Sequence, residues 1–233
     1  MARALTLLLS LVLISGCAST TKLSPEVASE IQQAKVAAAF YMEGKKINYD
    51  EMVYKVLWNE NRSQQSVFEG SWDVDREVTA TFSNSLQSVG FAAEPMHQIL
   101  DNSLYREFEQ AILNTRGSDG MNVSMNLSTK LRETLLNGGV SYVVLLRAAH
   151  YQVQKVSGFK PQFSMPSMLM VYDVARNEQS YNGMFAVGGA VAVEKSPREV
   201  EANNLAKLKS ATHEWVDQAT TTRLPSALGL AAN

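Results

Sequence analysis

Hydrophobic positions along the chain repeat with the periods of helices and strands. The clearest stripe advances in steps of four, four, four and three residues, and it predicts an amphipathic helix that begins at Asp73 and ends at Gly90. Its apolar members are Val74, Val78, Phe82, Leu86 and Val89. Similar spacing or capping signals predict four more helices, which begin near Ser24, Leu104, Ser128 and Pro197.

Strand-like segments lie between these helices. Continuous or alternating apolar residues predict strands at 36–41, 52–58, 91–96, 140–146, 168–174 and 181–187. The segment 140–146 is apolar on both faces, which is typical of a central strand, and its continuation exposes His150, Gln152 and Gln154 on one face. We expect a connection at 44–50, a turn at 175–179, a bulge or close backbone approach at Gly188–Gly189, and a loose tail from Leu224.

After the short helix near Ser24, the element order is β-β-α-β-α-α-β-β-β-α, and it predicts an α/β (α+β) fold with helices packed on a mixed sheet. The segments "SYVVLLR" and "LMVYDVARNEQSYNG", followed by a long terminal helix, resemble the anticodon-binding-like domain. That domain is shared by the N-terminal part of TolB, the curli secretion lipoprotein and the lipoprotein activators of penicillin-binding proteins. The resemblance covers roughly residues 70 to 220, and the extra hairpin before the first long helix departs from it.

The first sixteen residues have the layout of a secretory signal peptide. Arg3 precedes the apolar stretch Ala4–Ile14, which is shorter than the roughly 20 residues that a permanent membrane span needs. The residues Ile14, Ser15, Gly16 and Cys17 resemble the bacterial lipobox, which implies cleavage before Cys17 and its acylation. The alternative is an ordinary signal peptide with a chance cysteine.

A lipobox fixes the expected location of the protein. Two or three acyl chains anchor a protein essentially permanently, so the chain should attach to the membrane through its N-terminal lipid. By family resemblance, Ala18 and Ser19 lack the aspartate that retains lipoproteins in the inner membrane. We therefore expect an outer-membrane protein that faces the periplasm. The predicted division is a signal peptide (1–16), a lipidated tether with a short helix (17–35), a single periplasmic α/β domain (36–223) and a C-terminal tail (224–233).

Composition narrows the class of partner. Hydrophobic residues make up 45% of the 233 and charged residues 19%, which is typical of a globular protein. The net charge of −2 provides no basic footprint for nucleic acid, so we expect no nucleic-acid partner. Cys17 is the single cysteine, and its acylation would leave the folded part without a disulfide.

The sequence lacks the residue spacings of the common catalytic and metal-binding motifs. The sequence contains no Gly-x-Ser-x-Gly, His-Glu-x-x-His or Cys-x-x-Cys motif and no Gly-rich phosphate loop, so we expect neither an enzyme nor a cofactor. Asp73 and Asp75 could hold a divalent cation, although the helix dipole already explains both. Neighbouring methionines could bind a soft metal, although core packing is the simpler interpretation; they are Met121 with Met125, and Met165 with Met168 and Met170.

Two further alternatives concern histidine and aromatic side chains. His213, Glu214 and Asp217 would line one side of the terminal helix, as metal ligands or as a solvated face. The aromatic residues around the polar stretch 59–65 could form a binding surface or belong to the core; they are Trp58, Phe68 and Trp72.

The favoured function is a lipid-anchored, non-catalytic interaction module of the bacterial cell envelope, accessory to assembly, secretion or peptidoglycan synthesis. We expect an envelope protein as partner and an exposed edge on the long strand from Val140 past Val153, with His150, Gln152 and Gln154 as candidate contacts. One alternative is an envelope hydrolase that uses scattered polar residues such as Asp173, His150 and Ser141. Another is a secretion-pore subunit, which would require oligomerisation.

Overall fold

The computed structural model describes residues 23–53, 62–68, 72–115, 125–156, 160–185, 187–190 and 197–230. The six helices of this part are α1 (Pro25–Gln33), α2 (Val74–Ser88), α3 (Met96–Ile99), α4 (Asn102–Leu113), α5 (Thr129–Asn137) and α6 (Pro197–Ala227). The strands are β1 (Lys35–Met42), β2 (Ile47–Val53), β3 (Arg62–Phe68), β4 (Ala92–Pro95), β5 (Val140–Ala148), β6 (Tyr151–Val156), β7 (Gln162–Met165), β8 (Ser167–Asp173), β9 (Glu178–Met184) and β10 (Val187–Ala190).

Two five-stranded mixed sheets form the framework. Sheet 1 has the order β4-β1-β5-β8-β9, and sheet 2 has the order β10-β7-β6-β2-β3. Four pairs of consecutive strands occupy equivalent places in the two sheets, so each pair forms one long strand that crosses from one sheet to the other; the pairs are β1 with β2, β5 with β6, β7 with β8, and β9 with β10. All four are interrupted at the same level, which we call the bend; the interruptions lie at 43–46, 149–150, Pro166 and Phe185.

Sheet 1 is covered on both faces. On one face it packs against α3, α4 and α5 around a cluster that includes Phe108, Leu131 and Leu145. The other face joins α1, α2, α6 and the inner face of sheet 2 in a larger core that includes Phe82, Tyr151 and Leu208. This arrangement confirms the predicted α+β class and the mixed pairing, with two sheets in place of one.

Helix α2 closes part of the edge of β1. Strand β4 pairs with β1 only from Lys35 to Ala38, so the next backbone donors need other partners. The Phe40 amide donates to Thr79 Oγ1 at 2.8 Å, and the Met42 amide donates to Asp75 Oδ1 at 3.0 Å. Both side chains are buried, so α2 takes the place of a neighbouring strand along this stretch.

A polar ladder joins α2 to α6. Residues at helical spacing on one helix face residues at the same spacing on the other. Thr81 Oγ1 lies 2.6 Å from His213 Nδ1, and the Glu77 carboxylate lies 3.4 Å from the ammonium of Lys209. One turn further, the Ser85 hydroxyl donates to Asp217 at 2.6 Å. The pKa of the His213 imidazole is lowered, and burial of the ring is the main cause. These bonds explain why a histidine and an aspartate share one side of α6.

Local signals at helix ends match the structure closely. The side chains of Ser24 and Ser128 accept hydrogen bonds from the Val27 and Leu131 amides, at 3.3 Å and 3.2 Å. Gly90 has a φ of 96°, as its predicted role as a left-handed stop requires. Among the described residues, no helix combines the length and apolar character needed to cross a membrane.

Three sequence predictions were wrong or incomplete. A connection was expected at 44–50, but residues 47–50 are the first residues of β2, and Ile47 and Tyr49 are buried. Strands β3 and β7 were not expected; both are short or polar, so apolar alternation is weak in them. The tail expected from Leu224 instead continues α6 to Ala227, because Leu224 and Leu228 pack into the core. Most of the strand predicted at 52–58 lies outside the described residues.

Candidate functional site

A cavity of about 200 Å³ opens at the bend, on the face of sheet 1 that α3 to α5 cover. We call it the bend pocket. Most of its exposed surface is apolar, and three of the lining residues are methionines. The lining also includes one acidic, one basic and three neutral polar residues. The lining residues are Glu43, Thr115, Arg147, Ala149, Pro166, Ser167, Met168, Met170, Asn182 and Met184.

Strand register builds the floor of this pocket. Met168 of β8 lies opposite Arg147 of β5 on one side and Met184 of β9 on the other. In the next row on the same face, Met170 lies opposite Asn182. Paired residues share a face of a sheet, so these side chains project together toward the cavity.

A buried ion pair closes the inner end of the pocket. The Arg147 guanidinium donates from Nε to Glu43 Oε1 at 2.7 Å, and its Nη2 lies 2.6 Å from the same oxygen. The two side chains are only 7% and 14% exposed. Arg147 Nη1 also donates to Thr115 Oγ1, and the Thr115 hydroxyl donates to the Ile112 carbonyl at 2.7 Å. The charges of the pocket are therefore engaged with one another.

Tyr41 lies beside this ion pair, opposite Arg147 in the pairing of β1 with β5. Burial first, and then the negative charges of Glu109 and Glu43, raise the pKa of its phenol. The Lys45 ammonium lies 4.3 Å from the centre of its ring. Tyr41 is consequently neutral at physiological pH and contributes no charge to the site.

The outer end of the pocket lies at β9, which pairs with β8 alone among the described strands. Met184 is 77% exposed, the highest exposure among the large hydrophobic side chains of the described part. The Oδ1 atom of Asn182 is buried and has no hydrogen-bond partner within that part of the chain. An occupant would thus meet apolar surface, flexible methionines and one unsatisfied acceptor.

The predicted partner-binding edge was wrong. Strand β5 lies between β1 and β8, and β6 lies between β2 and β7, so neither half of the long strand is at an edge. A single sequence shows that the strand is exposed on one face but does not show which strands flank it. His150 is exposed at the bend, whereas Gln152 and Gln154 lie on the outer face of sheet 2. Their contact with a partner stays a prediction.

The residues of the hydrolase alternative are not brought together. Ser141 and Asp173 lie at one end of sheet 1, where the Val174 amide donates to the Ser141 carbonyl at 3.0 Å. The far end of β5, at Ala148, is about 23 Å away at 3.3 Å per residue, and His150 follows it. Asp173 accepts instead from the Arg176 amide at 2.8 Å and shapes the β8–β9 turn.

The carboxylates suggested for a cation have structural partners. Asp73 caps α2 by accepting from the Arg76 amide at 3.2 Å, and Asp75 receives the Met42 amide and the Lys45 ammonium. Within the described ranges, no group of three or more His, Cys, Asp or Glu side chains is arranged to hold a metal ion.

The other sequence candidates divide between core and pocket. Phe68 and Trp72 are buried in the main core, while Trp58 lies outside the described residues. Met125 and Met165 are also core residues, whereas Met168 and Met170 line the bend pocket. Met121, Cys17 and the lipobox residues lie outside the described part, so their roles remain predictions.

Sequence reasoning missed Glu43 and Arg147. A signal was present, because each charged residue ends a long apolar strand: Arg147 closes "SYVVLLR" and Glu43 follows the buried run 36–42. Charges in such positions are buried only when they are paired. Nothing in the sequence indicates that the two are partners, since 104 residues separate them.

Comparison with known proteins identifies no relative by sequence. No protein-family model matches the chain. No curated protein matches it either. These comparisons therefore assign no family.

Solved structures with a similar arrangement of elements do exist. The hypothetical protein CT253 from Chlamydia trachomatis is 12% identical with a TM-score of 0.47, and the match covers 83% of this chain and 96% of that one. The PelC dodecamer from Paraburkholderia phytofirmans is 11% identical with a TM-score of 0.39, over 85% and 87% of the two chains. Lipoprotein GNA1162 from Neisseria meningitidis is 10% identical with a TM-score of 0.31, over 79% and 99%. At TM-scores below 0.5, we draw no functional conclusion from these likenesses.

Proposed function

We propose that this chain is a lipid-anchored, non-catalytic interaction module of the bacterial cell envelope. Acylated Cys17 holds it to the outer membrane, and the folded part faces the periplasm. It serves a protein partner in envelope assembly, secretion or peptidoglycan synthesis. The lipobox supports the anchor, and the bend pocket supports the role in binding.

The bend pocket is the observation that carries this proposal. Its acidic and basic groups neutralise each other, and its remaining surface is largely apolar and opens beside a strand at the edge of sheet 1. Apolar surface next to an edge strand is a common means of protein recognition. Met184, at the outer end, is the side chain that a partner would touch first.

Site-specific photo-cross-linking in intact cells tests this role. A photoreactive residue replaces Met184 in one strain and Val67 in a control strain. Both positions carry exposed apolar side chains, at 77% and 47%. Met184 lies on β9 in sheet 1, whereas Val67 lies on β3 in sheet 2. We expect one discrete envelope-protein adduct from Met184 and a much weaker one from Val67. Equal adducts at both positions, or none from Met184, would refute a binding role for the bend pocket.

A further inference from the structure

We propose that the bend pocket binds one uncharged, apolar side chain of an extended partner segment, and that this segment pairs with β9 as an added strand. This inference rests on the proposed function and specifies the chemistry of the partner. A leucine, methionine or phenylalanine enters the pocket, and the backbone on either side of it continues sheet 1.

Strand β9 supplies the backbone for pairing. It is seven residues long, from Glu178 to Met184, and in the described part of the chain β8 is its one paired neighbour. Every second peptide unit of an edge strand directs its N–H and C=O groups away from the sheet. An extended peptide can satisfy these groups without any rearrangement of sheet 1.

The side-chain alternation of β9 places the occupant over the pocket. Asn182 and Met184 are two residues apart, so they share a face, and both line the cavity. A strand added beside β9 would carry its own side chains at the same two-residue spacing. One of them would consequently lie opposite Asn182 or Met184, at the outer end of the pocket.

The size of the pocket fits a single side chain. A dry apolar cavity of about 150 Å³ is large enough to bind benzene, and this pocket holds about 200 Å³. Ligand pockets for drug-sized molecules begin at about 300 Å³. The volume therefore fits one large apolar side chain.

Charge and hydrogen bonding narrow the choice further. Glu43 neutralises Arg147 at the inner end, so a charged occupant would lose its hydration without gaining a partner. The Oδ1 atom of Asn182, which is buried and without a partner in the described part of the chain, adds only a neutral acceptor to the wall. These two features complement an uncharged segment with an apolar anchor.

Titration with three synthetic peptides tests the inference. The first is acetyl-Thr-Val-Thr-Leu-Thr-Val-amide, the second replaces its leucine by glycine, and the third replaces the threonine before the leucine by proline to remove a pairing donor. The mature, Cys17-lipidated chain is placed in lipid nanodiscs with its methionine methyl groups labelled for NMR. Signals of Met168, Met170 and Met184 report the pocket, while those of Met42 and Met96 report the buried core.

We expect the leucine peptide to shift the three pocket methyl signals and leave the core signals in place. The glycine peptide should bind at least about tenfold more weakly, because it lacks the leucine side chain that fills the pocket, while its valines are the same as in the first peptide. The proline peptide should be similarly weakened, because it lacks an N–H for pairing. Met184→Asp should weaken the leucine peptide about tenfold, whereas the matched variant Val67→Asp should leave its affinity unchanged.

Three results would overturn the inference. Equal binding of the leucine and glycine peptides would mean that the pocket is not used, and no binding at all would reject the added strand. Shifts that depend only on protein concentration would assign the surface to a second copy of the chain. Each of these outcomes leaves the cell-based cross-linking from Met184 as a separate test of the proposed function.

Discussion

Removal of the Glu43 carboxylate should destabilise the fold strongly. The Arg147 side chain is only 7% exposed in the structure, and the Glu43→Ala variant leaves its guanidinium without its anionic partner. Breaking a buried ion pair in this way costs about 3–5 kcal/mol, because a desolvated charge remains uncompensated. In a domain of 150–250 residues each kcal/mol lowers Tm by about 2–4 °C, so the expected fall is roughly 6–20 °C.

A double-mutant cycle distinguishes this ion pair from ordinary packing. Arg147→Met alone should also be destabilising, but the double variant should recover at least about 2 kcal/mol relative to the sum of the single changes. The free energy of unfolding is measured by urea titration of the mature chain. Glu94→Ala is the matched control: it breaks the exposed pair with Lys35, at 3.0 Å, and should cost no more than about 1 kcal/mol. A loss below about 1 kcal/mol for Glu43→Ala, or additive single changes, would refute the reasoning.

Three other predictions follow from single contacts. A Cβ added at Gly189 would lie 1.9 Å from Cε2 of the Trp215 ring, so Gly189→Ala should lower stability by roughly 1–3 kcal/mol in thermal unfolding; an unchanged Tm would contradict this close approach. Asp75→Ala removes the acceptor of the Met42 amide, so hydrogen exchange at that amide should accelerate, and unaltered protection would show that α2 does not close the β1 edge. Burial lowers the pKa of His213 from its ordinary value of 6.5, so the unfolded chain binds more protons than the folded chain near that pH. The free energy of unfolding should therefore fall as the pH drops below about 6.5. Urea titrations at about pH 7.5 and 5.5 should show this fall in the parent chain and a smaller one in His213→Gln.

Local patterns predicted the helices well for physical reasons. A stripe such as Val78, Phe82 and Leu86 repeats within a few turns, and caps such as Ser128 act on residues three positions away. The end of α6 was missed because the burial of Leu224 depends on distant parts of the chain.

Sheet neighbours and the bend pocket could not be predicted in the same way. The pattern of β5 and β6 shows which residues are buried, but their flanking strands β1, β2, β7 and β8 come from distant parts of the sequence. The close approach predicted at Gly188–Gly189 is confirmed, because the Trp215 ring occupies the space that a Cβ at Gly189 would need. The pocket itself depends on partners such as Glu43 and Arg147, which only the fold brings together.

Metabolic labelling with radioactive palmitate tests the central claim, that acylated Cys17 anchors the folded part to a membrane. Cells expressing the parent chain or Cys17→Ser are labelled, fractionated and compared. The account predicts label in the parent, which should sediment with the outer membrane, and no label in the variant, which should lose that attachment. An unlabelled parent, or a variant that fractionates as the parent does, would contradict it.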